Sequence, residues 1–276
     1  MVNQGKRLVV NEILPEYWRI TIDNPPINLY DPEMFAELRT LMDRIEADED
    51  LKIIVFDSAN PDYFIAHYDI IRGGIVPDMP GAAKFTEWPS FVTRLANTGV
   101  VSVAAIRGRA RGHGSELALA CDIRFASREK AILCQVEVGV SVVPGGGATE
   151  WLTSLAGRSR ALEILVGSED FDADTAEKYG WINRAIPDAE LDNFVDSFAR
   201  RVARFDKGAL ELAKKLVNSR AGIPSEADRW SSNHSFLETS EWPSTQRTSQ
   251  MILERGYCKA GDFELNLGRH LGEMER

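Results

Sequence analysis

A single acid, Glu116, lies in a short apolar stretch that directly follows a glycine-bounded turn. The segment from Gly108 to Asp122 reads GRARGHGSELALACD, which predicts a turn leading into a helix. The first backbone N–H groups of a helix have no intrahelical partner and lie at the positive end of its dipole. Such groups can hold a substrate oxygen that gains negative charge. The segment therefore predicts an anion site with a carboxyl group one helical turn away.

A second acid, Glu137, lies just ahead of a glycine-rich bend. The segment from Gln135 to Gly147 reads QVEVGVSVVPGGG. Two carboxyl groups and a backbone anion site indicate acid/base chemistry on a carbonyl compound. The alternative interpretation is structural, because an acid in the first turn of a helix often only compensates the helix dipole. Glu137, which alternates with two valines in a strand-like stretch, would then be a solvated side chain.

The bend after Glu137 contains three consecutive glycines, Gly145 to Gly147. By default such a run is a flexible turn. A phosphate-binding interpretation is weak, because the chain shows neither a GK[ST] nor a GxGxxG pattern here. We expect the glycines to let the backbone approach a substrate beside Glu137.

These two segments resemble the signature of the enoyl-CoA hydratase/isomerase (crotonase) family, which runs roughly AAxxGxAxGGGxELALACDxRxA and, further along, PExxLGxxPGxGG. This chain reads AAIRGRARGHGSELALACDIRFA from Ala104 to Ala126, and Glu137 precedes Pro144 in the second part. The sequence FIAHYDI from Phe64 to Ile70 is similar to the family's FxAGADI turn. Together with matches near the amino terminus and after Gly157, the resemblance covers about residues 15 to 190.

The resemblance implies roles for the residues of the site. The carbonyl oxygen of a 2-enoyl thioester would accept hydrogen bonds from the backbone N–H groups of Tyr68 and His113. Glu116 and Glu137 would share a water molecule, one as general base at the β-carbon and one handling the α-proton. The positions expected to contact the substrate are Ala66, Asp69, Ile70, Gly112, Gly114, Pro144 and Gly145. Coenzyme A would enter as part of the substrate, with no tightly bound cofactor. No cluster with metal-ligand spacing is visible in the sequence, so no metal is expected.

Two histidines mark the main departure from the family pattern. His113 replaces a glycine of the oxyanion turn, and His67 lies in the sequence AHYD where the family has AGAD. The chain has only four histidines, so two in this pair of loops are not expected by chance, and both are candidate catalytic residues. We expect their imidazoles to titrate in the pocket, each depressing the pKa of the other. The alternative is that they pack against each other or a neighbouring carbonyl group and only shape the backbone.

A second departure concerns the phosphates of coenzyme A. The family often carries Lys or Arg just before its amino-terminal LN and just after ADI. Here those positions hold Ile27 and Ile71, with Arg72 one place late. The turn before the helix carries three alternating arginines, Arg107, Arg109 and Arg111, which would form a solvated face or face the acidic part of a ligand.

Apolar runs rich in β-branched residues alternate with amphipathic stretches, which indicates an α/β protein. The predicted strands run from Tyr17 to Ile22, from Ile53 to Asp57, from Val100 to Ile106 and from Ile123 to Ala126. The predicted helices run from Pro32 to Glu49, from Arg160 to Val166, from Thr175 to Tyr179 and from Leu191 to Asn218. The tail that follows is expected to be less regular, interrupted at Pro224, at Trp242-Pro243 and at Gly261. The resemblance implies a crotonase-like spiral core of ββα units with a C-terminal helical oligomerisation region. We place the core and active site in residues 1–195 and the assembly region in residues 196–276, and expect a trimer or a dimer of trimers.

The composition limits the classes of partner. The chain has 276 residues, a formal net charge of −10 and a pI near 5.0, which argues against a nucleic-acid partner. No apolar run approaches the length of a membrane span, and the amino terminus has no sustained apolar segment. The three cysteines form no CxxC pair, which favours a reducing compartment. We therefore expect a cytoplasmic protein without a membrane partner.

Three hypotheses for the function follow. The first is an enoyl-CoA hydratase or isomerase, favoured by the retention of both acids. The second is a divergent lyase or C–C bond hydrolase of the same fold that acts on a β-dicarbonyl or other non-standard substrate, with His67 or His113 taking part. The third is a non-catalytic binding or assembly protein, which the retained Glu116 and Glu137 oppose.

Overall fold

Two β-sheets and the helices around them make up the described part of the chain. The computed structural model describes residues 6–75 and 87–275. The strands are β1 Leu8–Leu14, β2 Tyr17–Ile22, β3 Ile53–Ser58, β4 Tyr63–Ile65, β5 Val101–Ile106, β6 Arg109–Arg111, β7 Ile123–Ser127, β8 Ile132–Cys134, β9 Phe171–Asp172 and β10 Arg184–Ile186. The helices are α1 Pro32–Ala47, α2 Trp88–Asn97, α3 His113–Ala120, α4 Ala148–Ala156, α5 Arg158–Gly167, α6 Ala173–Tyr179, α7 Asp188–Ala203, α8 Lys207–Ala221, α9 Glu226–Ser240, α10 Pro243–Glu254, α11 Asp262–Leu265 and α12 Leu267–Glu273, and a 3₁₀ turn spans Val138–Val140.

The larger sheet has the strand order β1-β2-β3-β5-β7-β10. β1 pairs antiparallel with β2, and the pairs that follow in the sheet are parallel. Successive side chains of a strand point to opposite faces. On β3, Ile54 and Phe56 therefore join the core that includes α1, whereas Ile53 and Val55 join a second core that includes α7. Helices on both faces explain why β3 is a continuous apolar run.

The smaller sheet has the strand order β4-β6-β8-β9. β4, β6 and β8 are parallel neighbours, with Ile65 paired to Ala110 and Arg111 paired to Cys134. The carboxyl ends of parallel strands meet at the same edge of a sheet. The loops that follow these three strands are therefore brought together, although they lie far apart in the sequence.

The predicted α/β fold is confirmed, and the predicted strands are present within one or two residues. The start of α1 is also as predicted, because Asp31 caps the helix by accepting a hydrogen bond from the N–H of Met34. The single helix predicted over residues 191–218 is wrong, since α7 and α8 are separate. The break falls at residues 204–206, where Asp206 caps α8 by accepting a hydrogen bond from the N–H of Ala209.

The tail after residue 222 is more regular than the sequence indicates. The residues that were expected to interrupt it lie at helix starts instead: Pro224 precedes α9, Pro243 is in the first turn of α10, and Gly261 directly precedes α11. Proline is tolerated in the first turn of a helix because the N–H that it lacks has no intrahelical partner there. Within residues 6–75 and 87–275, none of the helices combines the length and the apolar character that crossing a membrane requires.

The division at residue 195 stays a prediction. That residue lies inside α7, whose Leu191 and Val195 pack in the same core as β3. Residues 1–5 and 76–86 of the predicted first part, and residue 276 of the second, lie outside the described residues.

Candidate active site

The loops after β4, β6 and β8 meet around a small cavity. Its water-accessible volume is about 30 Å³, enough for about one or two water molecules. The loops line it with His67, Tyr68, Ile70, Gly112, His113, Val136 and Glu137. Pairing of the three strands therefore brings both histidines and one of the two predicted acids to the same cavity.

The C-terminal helices close the cavity from the other side. Phe236 of α9, Ser249 and Ile252 of α10, and Tyr257 all line it. The sequence provides no local signal for this role, because these residues read only as parts of a helical assembly region. The predicted assembly region thus also forms a wall of the candidate site.

Glu116 is fully buried in α3, one turn from the start of the helix. Its Oε1 accepts a hydrogen bond of 2.7 Å from the N–H of Gly146 and lies 3.4 Å from the N of Ala148. Burial and the neighbouring carboxyl group of Glu137 raise the pKa of Glu116 well above its ordinary value, although the two N–H groups act in the opposite direction. The carboxyl group of Glu116 therefore favours its protonated form at neutral pH.

Glu137 faces the cavity from the loop after β8. Its backbone has helical angles, φ −57° and ψ −50°, so the strand-like stretch expected around it ends at Cys134. A Cβ atom at Gly112 would lie 3.0 Å from Oε1 of Glu137, so the absence of a side chain there gives the carboxyl group its room. Burial raises the pKa of Glu137 to about 7, against the opposing effect of the charge of His67. Glu137 can therefore exchange a proton near neutral pH.

The imidazole of His113 is buried and neutral. Its Nδ1 lies 3.1 Å from Oε2 of Glu116. Three aromatic rings have centroids 5.0 to 5.1 Å from its own: Tyr30, Tyr68 and Trp88. Burial, together with the charge of His67, lowers the pKa of His113 to about 3. The predicted mutual depression is present for His113, but its ring does not titrate near neutral pH.

His67 is held by partners on both sides of its ring. Nδ1 lies 2.8 Å from the carbonyl oxygen of Tyr68, and Nε2 lies 2.9 Å from Oε1 of Glu264. The ring stacks on Tyr257, with centroids 4.0 Å apart and planes at 6°. The contact with the carbonyl oxygen of Tyr68 agrees with the alternative in which this histidine shapes the backbone of its loop. Neither Glu264 nor Tyr257 is detectable as a site residue from the sequence, since both lie in the tail.

One donor atom each from His113, Glu116 and Glu137 lies within 4.8 Å of the other two. The fold thus assembles three possible ligands that have no metal-ligand spacing in the sequence. A cation would need both carboxyl groups ionised, whereas burial favours their protonated forms and the charge of His67 lies close by. We interpret the cluster as an acid/base set, and the expectation of no metal stays a prediction.

Three predicted substrate-contact positions lie at or beside the cavity. Ile70 and Gly112 line it directly. The carboxylate of Asp69 accepts hydrogen bonds from the N–H groups of Ile71 and Arg72. Asp69 therefore holds the turn that presents Tyr68 and Ile70, without itself lining the cavity.

The other four predicted contact positions are packed inside the protein. Ala66 belongs to a small apolar cluster, and Pro144 is buried. A Cβ atom at Gly114 would lie 2.4 Å from a carbonyl oxygen of β4, and one at Gly145 would lie 2.4 Å from Cβ of Phe236. Gly114 thus allows α3 to approach β4, and Gly145 allows the bend to approach α9. The backbone N–H that reaches the carboxyl group of Glu116 is that of the next residue, Gly146.

The arginines before α3 bind the tail of the chain. Nε of Arg109 donates to the carbonyl oxygen of Leu265 at 2.9 Å. Arg111 is fully buried, pairs with Asp170 at 2.6 Å and donates to the carbonyl oxygen of Glu264 at 2.5 Å. The solvated position is therefore wrong for Arg111, whereas Arg109 is only part-buried and Arg107 pairs with Asp188 at 2.7 Å. The ligand contact stays a prediction. Arg109 and Arg111 fix α11 against β6.

Comparison with known proteins shows which family the chain resembles over most of its length. The family model described as enoyl-CoA hydratase/isomerase matches residues 17–262. The chain is similar to the short-chain-enoyl-CoA hydratase of Clostridium acetobutylicum, with 28% identity over 200 residues, which are 72% of this chain and 76% of that protein.

Solved structures extend the similarity over nearly the whole chain. The structure of a proposed enoyl-CoA hydratase from Streptomyces avermitilis has 38% identity and a TM-score of 0.91, and the match covers 98% of both chains. The structure of Pseudomonas aeruginosa DspI has 26% identity and a TM-score of 0.72, covering 92% of this chain and 97% of that one. With the paired acids, the cavity and the fold, these matches identify the chain as a member of the enoyl-CoA hydratase/isomerase family.

Proposed function

We propose that the cavity binds a 2-enoyl thioester of coenzyme A and that the protein adds water across the double bond. The observation that carries this proposal is a pair of buried carboxyl groups, those of Glu116 in α3 and Glu137 in the loop after β8, with oxygen atoms within 4.8 Å of each other. Conjugate hydration needs one group that removes a proton from water and one that delivers a proton to the α-carbon. Two carboxyl groups whose surroundings differ can divide these roles.

The surroundings of the acids favour one assignment. Glu137 lines the cavity and has a pKa of about 7, so its carboxylate accepts a proton from water as the water oxygen bonds to the β-carbon. Electrons of the double bond move toward the thioester oxygen. Glu116, which burial keeps protonated, supplies the proton that completes the α-carbon. The proton gained by Glu137 then passes to Glu116, whose carboxyl oxygen lies within 4.8 Å, which restores both acids. The sum is one water molecule added, with no oxidant or reductant needed.

The enolate oxygen would be held by backbone N–H groups of Tyr68 and His113. Both residues line the same cavity as Glu137, and His113 is in the first turn of α3. The N–H groups of a first helical turn have no intrahelical partner, and the helix dipole favours negative charge there. One such donor contributes roughly 3 kcal/mol to transition-state stabilisation.

The walls of the cavity favour a short hydrocarbon acyl group. Ile70, Val136, Val142 and Phe236 present apolar surface, and the water-accessible volume of about 30 Å³ is small. The relative from Clostridium acetobutylicum that is described as a short-chain-enoyl-CoA hydratase supports the same substrate class.

A second candidate function is lyase or C–C bond hydrolase activity on a β-dicarbonyl acid. Arg72 favours it, because this arginine pairs with Asp31 at 3.2 Å and also bonds Glu33. The two carboxylates therefore offset the charge of its guanidinium group, which is not free to bind a phosphate. His113 replaces a glycine of the family pattern and so changes the oxyanion loop, which also favours the second candidate function.

We also propose that the protein assembles into a trimer or a dimer of trimers in the cytoplasm. α8 has no buried residue within the described chain, and its Leu212, Leu216 and Val217 are exposed. Exposed apolar surface of this kind favours burial against a neighbouring subunit.

Turnover assays combined with thermal unfolding test these alternatives. We expect the protein to hydrate crotonyl-CoA and the variant Glu137→Gln to be at least about 10²-fold slower with its folding intact. Conversion of β-dicarbonyl acids without hydration of crotonyl-CoA would support the second candidate. A rise in Tm with acyl-CoA but no turnover of either substrate would indicate a binding protein, because ligand binding stabilises a fold without chemistry.

A further inference from the structure

We propose that Glu264 is a positioning residue that keeps His67 as an imidazolium ion, and that this ion keeps Glu137 ionised as the base. The inference rests on the proposed function, because it concerns the same site. It assigns a role to the C-terminal segment of the chain that neither the family motifs nor the sequence indicate.

The two nitrogens of His67 both face acceptors. A carbonyl oxygen, that of Tyr68, can only accept, so Nδ1 must carry a hydrogen. Oε1 of Glu264, 2.9 Å from Nε2, is the second acceptor when its carboxyl group is ionised. Both side chains are at most 1% exposed, and a buried carboxylate needs a paired charge. An imidazolium with a proton on each nitrogen gives a donor to both acceptors, the carbonyl oxygen of Tyr68 and Oε1 of Glu264.

Hydrogen bonds hold both the side chain and the backbone of Glu264 in place. The N–H of Cys258 donates to Oε1 at 2.6 Å, and a hydrogen bond from a backbone N–H to a carboxyl oxygen stabilises the carboxylate. The backbone of Glu264 is anchored as well, because its carbonyl oxygen accepts a hydrogen bond from Arg111, which also pairs with Asp170. The acceptor of the His67 proton is therefore fixed in position.

The charge of His67 acts on the proposed base. His67 and Glu137 line the same cavity, and a positive charge at His67 lowers the pKa of Glu137. Within the described part of the chain, Glu264 does not line that cavity. The imidazolium is thus the member of the pair that faces the base, and Glu264 acts through it.

Other titratable groups near His67 and Glu264 do not supply the positive charge that lowers the pKa of Glu137. They are Glu116, His113, Asp69, Arg111, Tyr257 and Cys258. Burial raises the pKa of the Tyr257 hydroxyl and of the Cys258 thiol, which keeps both neutral. Asp69 bonds the backbone of the following turn, and the charge of Arg111 is offset by Asp170.

The test is the substitution Glu264→Gln, with Asp262→Asn as its matched control. The glutamine amide can donate to Nε2, so a neutral His67 with its proton on Nδ1 fits the same contacts. Asp262 lies on the same short helix and pairs at 2.9 Å with His270 at the surface, away from the cavity. The control therefore removes an acid that faces a histidine without touching the site.

The readout is kcat/KM for crotonyl-CoA as a function of pH. Loss of the imidazolium favours the protonated form of Glu137, so the acid limb of the profile should move upward by about one pH unit. At about pH 6 this means roughly tenfold slower turnover, with nearly parental rates at about pH 9. Asp262→Asn should keep the parental profile. An equal loss at every pH in Glu264→Gln would overturn the proposal, since that is what a purely structural role produces.

Nitrogen NMR of the histidine side chains tests the pair independently of any reaction. The chain has only four histidines, so their ring signals can be assigned by substitution. We expect His67 to carry hydrogens on both nitrogens in the parent at about pH 8, where an ordinary histidine is neutral, and on Nδ1 alone in Glu264→Gln. A neutral His67 in the parent would refute the inference, even if hydration is observed. If no substrate is hydrated, the proposed function fails and the NMR spectra alone decide the role of Glu264.

Discussion

The substitution Gly146→Ala should disable the candidate site although it leaves both acids, Glu116 and Glu137, unsubstituted. A Cβ atom at this position would lie 2.0 Å from Oε2 and 2.4 Å from Cδ of Glu116, and 2.6 Å from Nε1 of Trp88. The N–H of Gly146 is also the hydrogen-bond donor to Oε1 of Glu116, and its carbonyl oxygen accepts from Trp88. Gly146→Ala therefore displaces the carboxyl group of Glu116 and strains both hydrogen bonds of Gly146, one to Glu116 and one from Trp88.

The size of the effect follows from these distances. Real Cβ contacts are essentially never closer than 3.0 Å, so the carboxyl group must move by about 1 Å or more. A displacement of about 1 Å of a catalytic group can cost about 10²-fold in rate. Inserting a methyl group into a packed interior costs about 1 to 3 kcal/mol of unfolding free energy. We expect kcat to fall by about 10²-fold and the protein to fold with a lowered Tm.

Hydration of crotonyl-CoA and thermal unfolding measure the two effects separately. Gly167→Ala is the matched control, because a Cβ atom there meets nothing within 4 Å, and this variant should keep the parental kcat and Tm. If Gly146→Ala retains a kcat within about twofold of the parent, the position of the Glu116 carboxyl group does not matter for catalysis. The proposed role of Glu116 as proton donor would then be wrong.

Three further predictions concern the base, the loop histidine and the assembly. Burial raises the folded pKa of Glu137 to about 7, so the stability that its proton contributes is present at about pH 5 and is lost as the pH rises through 7. The Tm of Glu137→Gln relative to the parent should therefore increase from about pH 5 to pH 8. A constant difference in Tm would contradict the raised pKa. His113→Gly removes a ring that is neutral above about pH 3, so the pH dependence of kcat/KM should stay parental. The preference among acyl-CoA substrates should shift toward larger acyl groups. An unchanged ranking of these substrates would mean that the ring has only a structural role. Light scattering should show a trimer or a dimer of trimers for the parent and smaller species for the double variant Leu216→Asp/Val217→Asp, whose parental side chains are 44% and 63% exposed; a stable monomeric parent at micromolar concentration would refute the predicted assembly.

The sequence already identifies the two acids and the fold class. Glu116 is recognisable because a glycine-bounded turn and an apolar run predict the start of a helix, which is a local property of the chain. The α/β class follows from the alternation of strand and helix patterns, which is also local. The family motifs then connect Glu116 with Glu137, although spacing alone leaves a structural interpretation open for each of them.

The tertiary structure decides the chemistry of each group. The sequence does not distinguish the two acids, whereas in the structure burial favours the protonated form of Glu116, against the hydrogen bond from Gly146, and burial raises the pKa of Glu137 to about 7. His113 becomes neutral because three aromatic rings surround it. A pKa depends on burial and on nearby charges, and neither is a property of a residue's neighbours in the sequence.

The partner of His67 shows most clearly what the sequence could not provide. Glu264 lies 197 residues further along the chain, in a segment whose local pattern indicates only a helical tail. The two residues meet because β4, β6 and β8 lie side by side and because Arg109 and Arg111 bind the backbone of the tail. Local patterns determine the elements and the identity of the acids in this protein, whereas contacts between distant segments determine which protons those acids hold, because only folding removes water from around them and places charges beside them.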